Sequence, residues 1–195
     1  MNRIVAVIPA KKKSNRLKNK NILPINGKPM FLYVASEIKK SKKIEEIIIS
    51  SDCHKIKKIS LENNFKFIQR PKKLTYEIAE KQDVVVHAIK KIYKKSKKPN
   101  IVLSIQPNSP EISYKDLDKA LTFFEKKLHP GAQKKELISI NKNYIQNAAF
   151  RIMTYKTVFQ KTLSTKVGVF VKDFIDIHTK KEYLRAKKNI EKKNK

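Results

Sequence analysis

The chain has 195 residues, 46 of them Lys or Arg against 17 Asp or Glu, for a formal net charge of +29. That length supports one domain with a full core, and 40% hydrophobic residues argue against intrinsic disorder despite the charge. No apolar run approaches the ~20 residues of a membrane span, and a single cysteine, Cys53, excludes an internal disulfide framework and a cysteine zinc cluster.

Residues 4–10 are too short for a signal-peptide core, and the lysines follow that run rather than precede it. The expected setting is therefore the cytoplasm, without membrane insertion. Only five of the 46 basic residues are arginine: Arg3, Arg16, Arg70, Arg151 and Arg185. Nucleic-acid readers rely on arginine for bidentate and stacking contacts. Lysine pairs such as Lys39-Lys40, Lys57-Lys58 and Lys187-Lys188 fit a solvated surface, so a nucleic-acid partner is not expected.

Residues 3–8 form a continuous apolar run suited to a buried strand, followed by a basic irregular loop over 9–26. The spacing of Phe31, Val34, Ala35 and Ile38 predicts a helix from about 29 to 40. Residues 46–50 read as a second buried strand, 53–63 as a helix and 65–69 as a third strand. Over 83–95, Val84, Val85, Ala88, Ile89, Ile92 and Tyr93 form one apolar stripe, the clearest helix of the chain. Residues 100–105 are the fourth strand.

A helix over 113–128 turns Leu117, Ala120, Leu121, Phe124 and Leu128 inward behind Ser113 as its cap, and His129-Pro130-Gly131 ends it. Three more strands are expected at 137–140, 148–153 and 167–171, then a helix over 179–190. A single domain would span 1–190, with 191–195 a frayed tail. Alternating apolar strands and helices predict an α/β fold whose mainly parallel central sheet is covered on both faces.

Ligands of such sheets bind beyond the C-terminal strand ends. After the first strand, six of the ten residues 11–20 are basic, and Ser14, Asn15, Asn19 and Asn21 add hydrogen-bonding groups. Ammonium and backbone N–H groups together suit a triphosphate. A basic surface patch is the competing reading, because the loop lacks the glycine that lets a backbone approach phosphate closely.

Ile8-Pro9-Ala10, Ser14, Arg16-Leu17 and Lys20-Asn21, continuing to Gly27-Lys28-Pro29-Met30, resemble the opening signature of the acylneuraminate (CMP-sialic acid synthetase) cytidylyltransferases. That signature is roughly IPARGGSKRLPGKN followed by GKPL. Residues 47–52 (IIISSD), Arg70-Pro71, Gln106-Pro107-Asn108-Ser109-Pro110 and residues 174–179 resemble the family's second-strand motif, Arg-Pro, QPTSP and terminal DIDT, in the same order.

The resemblance implies a three-layer nucleotidyltransferase (nucleotide-diphospho-sugar transferase-like) fold. It also implies transfer of CMP from CTP to a nonulosonic (sialic-type) acid, with release of pyrophosphate, for surface-glycan biosynthesis. The implied cofactor is Mg²⁺, or alternatively Mn²⁺, and the implied partners are CTP and a sugar acid. Ala10, Lys11, Ser14, Lys20, Asn21, Arg70, Ala79 and Gln106 stand at nucleotide-binding positions of the resembling family. Lys20 and Asp176 stand at catalytic positions, and Asp176 and His178 at its metal pair. Relatives that activate KDO typically carry Q-G-D where this chain has Gln106-Pro107-Asn108, which favours the acylneuraminate-like branch.

Departures from the pattern fall at the same places. Lys12 and Lys13 replace both loop glycines, Asn15 a lysine, Lys18-Asn19 a Pro-Gly, and Glu80-Lys81 the usual serines. His178 replaces the second Asp. Two residues apart on an extended segment, Asp176 and His178 share a face while Asp173 does not. Mg²⁺ prefers oxygen ligands, so a histidine weakens the fit or shifts the preferred metal; the competing reading of His178 is a residue at the following helix start.

Only residues 141–147 separate two candidate strands where the family has a dimerising, sugar-contacting region, so a homodimer stays open. Cys53 and His54 point about 100° apart on a helix and make no expected dyad, and His87 is expected to be structural. Two further readings remain: a catalytically degenerate nucleotide- or sugar-binding homologue, and a basic nucleic-acid-binding protein.

Overall fold

The computed structural model describes residues 2–76, 80–94, 97–126, 135–162 and 164–193. The first strand, β1 (Ile4–Pro9), serves two cores at once: Ile4, Ala6 and Ile8 face one layer, and Val5 and Val7 the other. A strand buried on both faces needs this continuous apolar run. The chain then makes a hairpin of β2 (Pro24–Ile25) and β3 (Lys28–Pro29) within and just beyond the stretch expected to be irregular. Its turn, Asn26-Gly27, has φ of 46° and 74°, the two left-handed positions that a type I′ turn requires.

Next come α1 (Met30–Ile38), β4 (Glu46–Ser51), α2 (His54–Glu62), β5 (Lys66–Gln69), α3 (Lys81–Ile92) and β6 (Ile101–Ile105). The last elements are α4 (Tyr114–Lys126), β7 (Glu136–Ile140), β8 (Gln146–Thr154), β9 (Val167–Val171) and α5 (Lys180–Lys193). Seven strands form one sheet in the order β5-β4-β1-β6-β8-β7-β9. Pairs β5/β4, β4/β1, β1/β6 and β7/β9 are parallel, and β8 runs antiparallel to both its neighbours. The expected mainly parallel α/β sheet is present, with β8 as its exception.

One face is covered by α1, α2 and α4, through Phe31, Val34, Ile38, Ile56, Leu117, Leu121 and Phe124. The other is covered by α3, through Val85, Ala88, Ile89 and the following Tyr93. Phe124 is fully buried, so Phe124→Ala would cost about 3–5 kcal/mol. Ser113 caps α4 as expected: its Oγ accepts from Asp116 N at 3.2 Å and donates to Asp116 Oδ2 at 2.6 Å. Residues 129–131, the expected end of that helix, lie outside the described residues.

A third apolar cluster joins Ile25 and Met30 to Ile177, Ala186 and Ile190, with Leu17 packed against it. It also seats α5, which continues to Lys193, beyond the expected helix end at 190, with Ile190 buried on the hairpin. Among the described residues, no helix is long and apolar enough to cross a membrane.

Candidate functional site

The C-terminal ends of β1, β4, β5 and β6 open on one side of the sheet, and the segment before α5 crosses in front of them. Leaving β1, the chain is led along β4 by the Ala10 N–H, which donates to Ser50 O at 2.9 Å. The Lys12 N–H then donates to Asp52 Oδ1 at 2.7 Å, and Asn21 Nδ2 closes the loop by donating to Lys11 O at 2.8 Å. Asn19 takes the left-handed conformation, φ 55°, which asparagine tolerates better than most residues. Neither Lys12 nor Lys13 has a positive φ, so replacing glycine there strains no backbone.

A cavity of about 550 Å³ lies in front of the strand ends. Lys11, Ser14, Lys20 and Asn21 line it from the first loop, Arg70 from beyond β5, and Gln106 from beyond β6. His178 closes the opposite side, and Arg16, Lys81 and Asn108 complete the polar lining. Lys12 instead lines a separate crevice beside Cys53 and Ile56, and Lys13 lines neither. Neither side chain therefore stands in the 550 Å³ cavity.

The floor is rigid. Arg70 is buried, its Nη2 donates to Ser50 O at 2.9 Å, and its Nε has no protein partner. Burial pushes its pKa down to about 10, partly offset by Asp52. Asn21 Oδ1 is likewise buried without a partner. Two orphaned polar atoms on the residues of one cavity mark places where a polar ligand would complete the hydrogen bonding. Gln106 is fixed by its N–H, which donates to Ala149 O at 2.9 Å, at an irregularity where the β7/β8 register shifts and Ala148 takes φ 55°.

The segment before α5 is stapled to the loop after β6. Ile177 N donates to Asn108 O at 2.9 Å, and Asn108 Nδ2 donates back to Ile177 O at 3.0 Å and to Asp176 Oδ1. Asp176 and His178 do share a face: His178 Nε2 lies 2.9 Å from Asp176 Oδ2. A capping box follows, in which Glu182 Oε2 accepts from the N–H groups of His178 (2.7 Å) and Thr179 (2.8 Å). Lys20 Nζ donates to Ile177 O at 2.8 Å, tying the first loop to this segment. Burial pushes the Lys20 pKa down to about 8; Asp176 opposes the shift, and Arg16, Lys81 and Lys11 add to it.

Of the residues expected at the site, Lys11, Ser14, Lys20, Asn21, Arg70, Gln106 and His178 line the one cavity. Ala10 is fully buried behind the loop and does not reach it. Ala79 lies outside the described residues. Asp176 lines a neighbouring groove of about 420 Å³, on the side of Asp173 and Glu182, while its oxygens are held by Asn108 and His178. Among the described residues, no three His, Cys, Asp or Glu side chains are grouped to hold a metal ion. Cys53 is buried and His54 exposed, in keeping with the absence of a dyad.

Sequence reasoning did not single out Asn108, Arg16 or Glu182. Glu182 had a readable signal in the Thr179-x-x-Glu182 pattern of a capping box. Asn108 stood within the QPTSP-like motif, but its hold on Asp176 spans 68 residues and no spacing shows it.

A mainly parallel α/β sheet whose strand-end loops gather cations around one polar cavity defines a nucleotide-handling protein. Residues 5–190 match the family model described as Cytidylyltransferase, and the chain belongs to that family. It is 34% identical over 121 residues to the 3-deoxy-manno-octulosonate cytidylyltransferase of Francisella tularensis, covering 62% of this chain and 45% of that one. It is 30% identical over 87 residues to the N-acylneuraminate cytidylyltransferase of Escherichia coli, covering 45% and 21%. The chain thus matches less than half the length of either relative.

Among solved structures it resembles a CMP:2-keto-3-deoxy-manno-octonic acid synthetase complexed with CTP, with a TM-score of 0.79 at 15% identity over 98% of this chain and 99% of that one. It also resembles a cytidylyltransferase from Leptospira borgpetersenii, with a TM-score of 0.73 at 16% identity over 98% and 88%. These likenesses establish the nucleotidyltransferase fold.

Proposed function

We propose that the protein is a CMP-sugar synthetase that transfers CMP from CTP to a nonulosonic acid and releases pyrophosphate, supplying surface-glycan synthesis. The observation that carries this reading is the convergence of Lys11, Arg16, Lys20, Arg70 and Lys81 on one cavity of about 550 Å³ at the strand ends. Phosphoryl transfer of this kind depends on positioning and charge neutralisation rather than on a protein nucleophile. Lys11 and Lys20 would neutralise the triphosphate, and Arg70, Asn21 and Gln106 would orient the nucleotide. The acceptor hydroxyl would then attack the α-phosphate in line with departing pyrophosphate.

The acylneuraminate-like branch is our finer reading, supported by Gln106-Pro107-Asn108; the similar relatives carry names with both octulosonate and neuraminate acceptors. For the metal, the donors at hand are one carboxylate, Asp176, and one imidazole, His178, in mutual contact. Mg²⁺ commonly takes one or two carboxylates plus substrate phosphates, and an added imidazole suits Mn²⁺ better. Asp176 and His178 are the residues that would hold a divalent cation, which when bound would neutralise triphosphate charge.

A second reading has a specific observation behind it: both Asp176 oxygens are engaged by protein groups, and its side chain lines the neighbouring groove. A homologue that binds nucleotide without turning it over would look the same. Incubation with CTP, Mg²⁺ or Mn²⁺ and a panel of sialic, pseudaminic, legionaminic and octulosonic acids separates the two. Pyrophosphate release with one acid is the expected result. Thermal stabilisation by CTP with no release from any acid would favour the second reading.

A further inference from the structure

Two cavities of this protein share a wall. Beside the 550 Å³ cavity lies one of about 290 Å³, and both are lined by Lys81 and Gln106. The smaller one is floored by Ser104 of β6 and by Phe150 and Arg151 of β8, with Gln82 at its side.

Its arginine is already spent. Arg151 Nε donates to Glu136 Oε2 at 2.7 Å and Nη2 donates to the same oxygen, while Nη1 donates to Gln82 Oε1 at 3.1 Å. Glu136 is fully buried, so the ion pair cancels and the floor carries no net charge. Lys81 is different. It is the first residue of α3, it is exposed, and among the described residues it has no ion-pair partner. It stands close enough to Lys20 to lower that residue's pKa. An uncompensated ammonium at the junction of two cavities is a place for anions to meet.

We propose that Lys81 is the specificity-determining residue that reads the acceptor's carboxylate in the 290 Å³ cavity and screens it from the α-phosphate held next door. The inference rests on the CMP-sugar synthetase reading and names how its acceptor is recognised. In a 2-ulosonic acid, the attacking anomeric hydroxyl and the carboxylate are attached to the same carbon. Bringing that hydroxyl to the α-phosphate forces two anions together, and a cation on the shared wall offsets their repulsion. Position 81 is one of those where this chain departs from the serine of the resembling family, so a cation there is a feature of this chain.

Calorimetry on CTP-loaded protein in EDTA, where no transfer occurs, tests this with N-acetylneuraminic acid, 3-deoxy-manno-octulosonic acid and their methyl esters as probes. The wild type should bind at least one acid about tenfold or more tighter than its ester, the scale of one charge-assisted hydrogen bond. At CTP concentrations that saturate each variant, Lys81→Met should erase that preference, and Lys81→Arg should keep it. A preference that survives in K81M, or binding of neither acid, overturns the proposal while CTP binding leaves the synthetase reading standing. Absence of CTP binding by the wild type overturns both. The exposed position of Lys81 makes K81M a folded variant, which an unchanged melting temperature verifies.

Discussion

The Lys20 ammonium donates to the Ile177 carbonyl at 2.8 Å, joining two loops that lie 157 residues apart in the chain. This bond holds a cation inside the cavity at the cost of burying it, and the Lys20 pKa falls to about 8 as a result. The folded value lies below the unfolded one, so the charged amine costs stability fully below pH 8 and not at all above about 10.5.

A polyanion in the cavity favours the protonated form. CTP binding above pH 8 should therefore take up a proton at Lys20, and affinity should fall as pH rises through that range. Titration calorimetry at about pH 8.5 in two buffers of different ionisation heat measures the uptake. Lys20→Met should abolish it and weaken CTP binding about tenfold or more.

The two lysines that replace loop glycines stand outside the 550 Å³ cavity. Lys12→Gly and Lys13→Gly together should leave CTP affinity within about threefold at physiological salt, since exposed charges there are screened. Lys11→Ala, which removes a lining cation, should weaken it more. Equilibrium binding of a fluorescent CTP analogue compares the two directly.

His178 stands where a second carboxylate would favour a hard cation. His178→Asp should raise Mg²⁺-supported pyrophosphate release about tenfold relative to wild type, the scale of changes around a metal ligand set, and lower the preference for Mn²⁺. Release measured with each metal in turn gives the ratio. An unchanged ratio would argue that position 178 does not face the metal.

The ion pair of buried Glu136 with half-buried Arg151 makes a stability prediction. Glu136→Gln leaves Arg151 without its counter-charge and should cost about 3–5 kcal/mol in urea unfolding. Glu136→Leu combined with Arg151→Met removes both charges and should cost less than the single change, because no uncompensated ion is left inside.

Much of the fold was legible because its signals are local. The runs at Ile4–Pro9, Glu46–Ser51 and Ile101–Ile105 each hold an aliphatic stretch and sit side by side as buried strands. The stripe of α3 and the Ser113 cap of α4 were equally readable. The β2/β3 hairpin was not, although Asn26-Gly27 is a strong turn signal, because two-residue strands show no alternation to count. At the site, spacing correctly brought Asp176 to His178. It could not show that the Asn108 amide holds the other Asp176 oxygen, nor that Asp52 steers Lys12 away from the cavity. Those contacts depend on chain crossings that no local pattern encodes.

The apolar cluster that seats α5 on the hairpin has a consequence for the order of assembly. Ile177, Ala186 and Ile190 pack where Ile25 and Met30 are already waiting, and Leu17 of the first loop leans on the same cluster. A growing chain therefore makes its cation-bearing loop well before the segment that braces it. The Ile177 carbonyl that orients Lys20 comes 157 residues later in the chain, beside the helix that seats it. The order of synthesis thus keeps the cavity from maturing before the sheet behind it is complete.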